Sequence, residues 1–137
     1  MLRKDLSQEI IGAFYEVYNA LGHGFLESVY QRAIVVALRA RGLTANAEVP
    51  VSVHFRGVNV GDFRLDLVVC KTVIVECKAA EKLSHAHRAQ VIHYLNATSF
   101  PLALLLNFGP EPKFHRFVQT RRHPHTHETH FKSVITP

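Results

Sequence analysis

Tryptophan is absent from this 137-residue chain, methionine occurs once and cysteine twice. With only Cys70 and Cys77, and no C-x-x-C pair, neither a disulfide scaffold nor a thiolate zinc site is expected. Both thiols fall in strongly patterned apolar stretches and read as small buried hydrophobes. No apolar run approaches the roughly 18 residues of a membrane span. The N-terminus MLRKDLSQEI also lacks the apolar stretch of a signal peptide. The expectation is a cytoplasmic protein with no membrane partner. Acidic residues are in the minority, 11 against 16 Lys and Arg, for a net charge of +5. That balance tilts the reading toward polyanionic partners such as nucleic acid, though only weakly. No internal repeat is evident.

What is present is one domain's worth of regular pattern followed by a tail. Leu6, Ile10, Phe14, Val17, Tyr18 and Leu21 recur at helical spacing, with Asp5 and Gln8 able to form a capping box. Gly22 and Gly24 interrupt that helix. A second helix is expected over 26–41, its apolar stripe formed by Leu26, Tyr30, Ala33, Ile34, Ala37 and Leu38, with Gly42 as its left-handed cap. Residues 48–55 (EVPVSVHF) alternate as a strand, with Pro50 marking an edge or a strand start. A third helix is expected over 84–98 with Ser84 as N-cap and Val91, Ile92 and Leu95 as its apolar surface. LALLLNF, 102–108, reads as a strand covered on both faces, and 114–118 as a short last strand. This order implies an α/β fold, a mixed sheet flanked by helices, within a single domain 1–118. Residues 119–137 are basic and His-rich (His123, His125, His127, His130), and read as a poorly ordered or loosely docked tail.

Between the first strand and the third helix lies the stretch that departs from ordinary patterning, GDFRLDLVVCKTVIVECKA, 61–79. It reads as a β-hairpin. Phe63, Leu65, Leu67 and Val69 share one face and alternate with Arg64, Asp66 and Val68; Val73, Val75 and Cys77 alternate with Ile74, Glu76 and Lys78. If Cys70–Lys71–Thr72 form the loop, Val69 pairs with Val73 and Asp66 falls opposite Glu76. Directly opposed side chains have Cβ atoms about 4.5–5.5 Å apart, and like charges there destabilise a strand pair. A divalent cation is the simplest reason for such a pair. Lys78 lies two residues beyond Glu76 on the same face, about 6.8 Å along the strand.

The resulting D-x9-E-x-K pattern, Asp66, Glu76 and Lys78, resembles the PD-(D/E)XK nuclease superfamily. Gly24–Tyr30, GFLESVY, is similar to the G-x-x-E-x-x-Y motif of the GxxExxY protein family, usually placed in that superfamily. FRLD (63–66), VECKA (75–79), QVIHYL (90–95) and LLLNF (104–108) extend the resemblance over roughly 6–118. Leu65 stands where the superfamily's name places a proline. The resemblance implies a restriction-endonuclease-like fold and a metal-dependent nuclease acting on nucleic acid, DNA more than RNA. Mg²⁺ or Mn²⁺ would be held by Asp66, Glu76 and the Cys77 backbone carbonyl, with Glu27 as a further ligand or water-positioning group. Lys78 would orient the attacking water or stabilise phosphate charge, and Gln90 would hydrogen-bond the site or the nucleic-acid backbone. Tyr94 and Tyr30 would stand behind these groups, with core packing the safer reading of Tyr30.

Two other readings remain open from the residues. The chain is either a nucleic-acid-binding protein keeping the fold with little or no catalysis, or an assembly component in which the acids form structural ion pairs with Lys78. Its shortness leaves little surface for reading a base sequence, so recognition of nucleic-acid structure or backbone is expected, with a homodimer as one form.

Overall fold

Helical periodicity of apolar residues builds the first layer. A computed structural model describes residues 2–120 and 128–131, the last four by backbone alone. Helix α1 (Arg3–Leu21) buries Leu6, Ile10, Phe14 and Val17, and α2 (Glu27–Ala40) buries Tyr30, Ile34, Ala37 and Leu38. Helix α1 starts upstream of the expected capping box: Leu2 is its N-cap and offers no side-chain bond, while Asp5 already lies in the first turn. An acid there still favours the positive end of the helix dipole. Leu26, expected in the apolar stripe of α2, is instead its N-cap residue and 77% exposed. Gly42, at φ 77°, follows the C-cap Arg41 as expected.

Strands β1 (Ala45–Phe55), β2 (Val58–Val69) and β3 (Val73–Lys78) form an antiparallel meander. Helix α3 (His85–Ala97) then crosses over to β4 (Leu102–Phe108), which pairs parallel to β3, and β5 (Pro112–Val118) returns antiparallel. With β6 (Glu128–Phe131) added beside β1, the sheet order is β5-β4-β3-β2-β1-β6. One parallel pair among antiparallel neighbours makes the sheet mixed, and the architecture is α/β, as expected. Ser84 caps α3: its hydroxyl accepts from the His87 amide while His87 Nδ1 accepts from the Ser84 amide. Ile92, expected to face the core, is 46% exposed, and Val91 and Leu95 carry the packing of α3.

The two faces of the sheet carry separate cores. Phe14, Tyr30, Ile34, Leu67, Val75 and Leu104 pack under α1 and α2, and Val49, Leu65, Ile74, Val91 and Leu105 pack under α3. All seven residues of β4 are buried, as a strand covered on both faces requires. Each fully buried Leu or Phe of this kind contributes about 1.5–3 kcal/mol.

Part of the tail forms β6, which pairs with β1 from Val51 to His54. Pro50 sits immediately outside that ladder, where its missing N–H costs no bond to β6. His123, His125 and His127 lie outside the described residues.

Beyond β4 the chain makes its closest backbone approach at Gly109. A Cβ there would meet the Ala80 carbonyl oxygen at 2.3 Å and Asn107 Nδ2 at 2.9 Å. The approach exists because Asn107 clamps the segment after β3, accepting from the Ala80 amide at 2.9 Å and donating to the Ala80 carbonyl at 3.0 Å. Tyr18 of α1 donates to the Gly109 carbonyl at 2.7 Å from the other side. Gly109→Ala is expected to lower stability by about 1–3 kcal/mol. Gly61→Ala, where a Cβ meets nothing within 4 Å, should stay within about 0.5 kcal/mol of the wild type. Urea midpoints at constant m-value measure both.

Candidate functional site

The expected hairpin forms with the expected register. Leu67, Val68 and Val69 pair with Val75, Ile74 and Val73 across a turn at Cys70–Thr72. Cys70 and Lys71 both adopt positive φ, 50° and 54°. The ladder continues no further. At the next step, where Asp66 faces Glu76, the carboxylates replace the backbone carbonyls as acceptors. The Asp66 amide donates to Glu76 Oε1 at 3.0 Å, and the Cys77 amide donates to Asp66 Oδ2 at 3.0 Å. Each acid thereby caps the opposite strand where β2 and β3 part.

Strand β2 also breaks its alternation here. Leu67 and Val69 belong to the core under α1 and α2, whereas Leu65 and Phe63 belong to the one under α3. The single face expected for these four residues is therefore split between the two layers. Its partner strand switches at the same level, with Ala45 in one core and Val49 in the other. Glu48 sits between those two residues of β1 in the left-handed region at φ 53°. A non-glycine residue there carries backbone strain, and such strain persists where neighbours over-determine it. Gln31 of α2 is one such neighbour, donating to Glu48 Oε1 and to the Asp66 carbonyl, both at 3.3 Å. Arg64 donates to the Glu48 carbonyl at 3.5 Å.

Burial then sets the electrostatics. Glu76 is 1% exposed, and its carboxyl is pushed up to about 9, first by burial and then by the charge of Asp66. Asp66 is also raised by burial, offset by the Cys77 amide, the Glu76 carboxyl and the Lys78 charge. Burial and mutual repulsion together hold both carboxyls above the ordinary carboxylate range. Lys78 is half-buried and lowers both acids, yet it forms no ion pair among the described residues. The solvated cross-strand salt bridge that would give this patch a purely structural purpose is therefore missing.

Helix α3 presents Gln90 and Tyr94 to the same face. Gln90 Nε2 donates to the Tyr94 hydroxyl at 3.0 Å, and the Tyr94 ring stacks on Phe63 at 5.3 Å and 13°. The phenol is raised to about 12 by burial and then by the charges of Glu76 and Asp66, which places it in their field. Asp66, Glu76, Lys78, Gln90 and Tyr94 are thus brought together.

Glu27 and Tyr30 behave differently. Glu27 is the first residue of α2 and exposed; its charge reaches Cys77, whose thiol is pushed up chiefly by burial. Among the described residues no group of three or more His, Cys, Asp or Glu side chains closes around a metal-sized site, so Glu27 stands off from the two acids here. Tyr30 is fully buried against Phe108, rings 4.2 Å apart, and its hydroxyl binds no acid. It donates to the Gly22 carbonyl at 2.6 Å and accepts from the Phe25 amide at 3.2 Å. Gly24, at φ 111°, turns the chain between those anchors. The G-x-x-E-x-x-Y spacing is therefore a staple: the tyrosine fixes the loop that starts the helix bearing Glu27.

Glu48 and Gln31 are members of this site that the sequence pattern does not single out. Glu48's charge raises Asp66, and the pairing of Ala47 with Leu67 and Val49 with Leu65 sets it across from that acid. A strand expected to begin at Glu48 hides this, because the flanking pair Ala45–Val69 is then out of view.

The donor set suits a hard cation. Two carboxylates and a neighbouring backbone carbonyl are all oxygen, and a buried acid pair forced to retain a proton is one whose second negative charge lacks a counter-ion. No described helix is long and apolar enough to cross a membrane.

A search of curated proteins and a search of solved structures give no match. A scan against family models matches residues 4–119 of the 137 to the PD-(D/E)XK nuclease superfamily. That span contains both helices before the sheet, the acid pair, Lys78 and α3, and on it the chain belongs to the PD-(D/E)XK nuclease superfamily.

Proposed function

We propose that this protein is a Mg²⁺- or Mn²⁺-dependent nuclease hydrolysing phosphodiester bonds, with DNA as the preferred nucleic acid. The observation that carries the reading is the pair of buried carboxyls at the parting of β2 and β3, with a lysine beside them that neither neutralises nor is neutralised by an ion pair. Asp66, Glu76 and the Cys77 carbonyl would hold the metal, with Glu27 joining from α2, directly or through a water. Bound there, the ion supplies a Lewis acid for the scissile phosphate and a water of lowered pKa.

The chain's own residues do the remaining work. Because both carboxyls are raised by burial, Asp66 and Glu76 would release a proton on taking up a cation. Lys78, half-buried at the rim of the acid pair, is able to hold the attacking water or the developing phosphate charge. Gln90 is oriented by Tyr94, which leaves its amide carbonyl available to the nucleophile or to a sugar–phosphate contact. The Tyr94 ring, stacked on Phe63, fixes the hydroxyl that orients Gln90. As members of the GxxExxY family, which the resemblance suggests, such chains would use Tyr30 to aim Glu27.

The absence of a third acid at ligand distance among the described residues favours one other reading: a nucleic-acid-binding protein of the same fold without catalysis. Purified protein with duplex DNA, single-stranded DNA and RNA in Mg²⁺ or Mn²⁺ separates the two. Asp66→Ala and Lys78→Ala are each expected to lower the cleavage rate by about 10²-fold or more. Cleavage that survives either substitution sinks the assignment, and salt-dependent binding without any cleavage selects the second reading.

Metal-free stability provides an independent measure. Glu76 rises from an ordinary 4.5 to about 9 in the folded protein, so its contribution is complete below about pH 4.5 and is lost as pH climbs towards 9. Asp66 is raised too and acts in the same direction. Urea unfolding between pH 5 and 9 should show wild-type stability falling relative to Glu76→Gln, and Mg²⁺ should restore the wild type at the alkaline end. A difference between the two proteins that does not change with pH would refute the raised Glu76 carboxyl.

A further inference from the structure

Beyond Lys78 the sheet opens into a cavity of about 490 Å³ that the acid centre does not use. Asn107, which forms part of its wall, is the β4 partner of Lys78 in the parallel ladder. Neighbouring strands lie about 4.8 Å apart, so the cavity begins one strand away from the lysine. Its basic lining is Lys82, Arg88 and Lys113, with His115 between them.

Arg88 is the unusual member. It projects from the first half of α3, two residues before Gln90, and one guanidinium nitrogen lies 3.2 Å from His115 Nε2. Its Nε is buried and has no hydrogen-bond partner. No carboxylate forms an ion pair with it among the described residues. Glu111, on the same wall, pairs with Lys113 at 3.4 Å, and Glu81 is exposed at the rim. Burial and the Arg88 charge both lower His115, so at neutral pH the imidazole accepts from the arginine without contributing charge of its own. A buried guanidinium donor with no partner is costly, and the planar fork of an arginine matches the oxygens of a phosphate. A cavity lined by the arginine that carries this donor, with two lysines beside it, has the chemistry of an anion site.

We propose that this cavity is a phosphate subsite, in which Arg88, aided by Lys82 and Lys113, holds a non-scissile phosphate of the nucleic-acid strand bound at the acid centre. The proposal rests on the nuclease-fold reading for its ligand, and Arg88 acts as a binding residue, distant from bond breaking. Successive phosphates of one strand advance about 3.4 Å along the duplex axis, so a strand lying over Lys78 carries its neighbours across the cavity mouth. Two sources share this chemistry, an internal diester and a terminal monoester.

The test begins with the wild-type protein free of metal and needs no variant to fold. Titration with inorganic phosphate, followed at the Arg88 Nε–H resonance, is expected to shift that signal while the Arg41 and Arg116 signals stay in place. Oligonucleotide binding in EDTA, with and without a 5′-phosphate, is then compared between the wild type and Arg88→Gln. The expected result is binding about tenfold weaker in the variant, with the slope against log salt reduced by about one. Equal loss on both oligonucleotides assigns an internal phosphate, and loss confined to the 5′-phosphorylated one assigns the terminal monoester. Unchanged affinity and salt slope overturn the subsite, whatever the phosphate titration shows. Cleavage assays keep the two readings apart: a wild type that binds through Arg88 but never cuts supports the subsite and tells against catalysis alone.

Discussion

The parting of β2 and β3 at Asp66 and Glu76 is the constraint on which the rest of this structure depends. Two strands that separate inside a protein leave amide groups without ladder partners, and orphaned buried amides are costly. Here the Asp66 and Cys77 amides are satisfied by the carboxylate of the opposite strand. The same two bonds fix both carboxylates side by side in a buried place, where ordinary strand pairing would have left them repelling each other across a closed ladder. Structural satisfaction and chemical tension come from one arrangement. The backbone holds the acids where burial and their mutual repulsion raise both carboxyls.

The two helical layers serve this parting in opposite ways. Under α1 and α2, Phe14 meets Phe108 edge to face at 4.8 Å and Tyr30 stacks on Phe108 at 4.2 Å. That rigid face anchors the loop before Glu27 through the Tyr30 hydroxyl and, through Tyr18, the turn at Gly109. The other face is where chemistry is exposed: α3 contributes Gln90 and Tyr94 to the acids and Arg88 to the cavity next to them. Asn107 and Gly109 join the two, since the clamp on Ala80 sets how far the chain after Lys78 can move. A substitution at that clamp would disturb the acid centre and the cavity together.

Much of this was legible in the residues because period-two alternation and turn chemistry are local. The loop Cys70–Thr72, the pairing of Val69 with Val73 and the confrontation of Asp66 with Glu76 all followed from counting along one hairpin. The buried β4 and the Ser84 cap were equally local. What counting could not reveal is the reversal of faces at Leu65–Leu67, which lies beside Glu48 at φ 53° on the neighbouring strand. A glutamate in an alternating strand gives no local sign of a left-handed backbone. The role of Tyr30 was hidden for a related reason. Its spacing to Glu27 is visible, but whether its hydroxyl meets an acid or a loop carbonyl is decided by the packing of Phe108, far along the chain.

Glu48 also sharpens the meaning of the missing third ligand. Asp66 feels the charge of Glu48 from one side and Lys78 from the other, while Glu27 waits, exposed, at the start of α2. A cation placed between Asp66 and Glu76 would change the sign of that local field, so a glutamate that stands off from a protonated pair would be attracted to an ionised, metal-loaded one. Gln31 links these parts: it bonds both Glu48 and the Asp66 carbonyl from α2, one helical turn beyond Glu27. The helix that supplies the outer acid is therefore already tied to the strand that supplies the inner one.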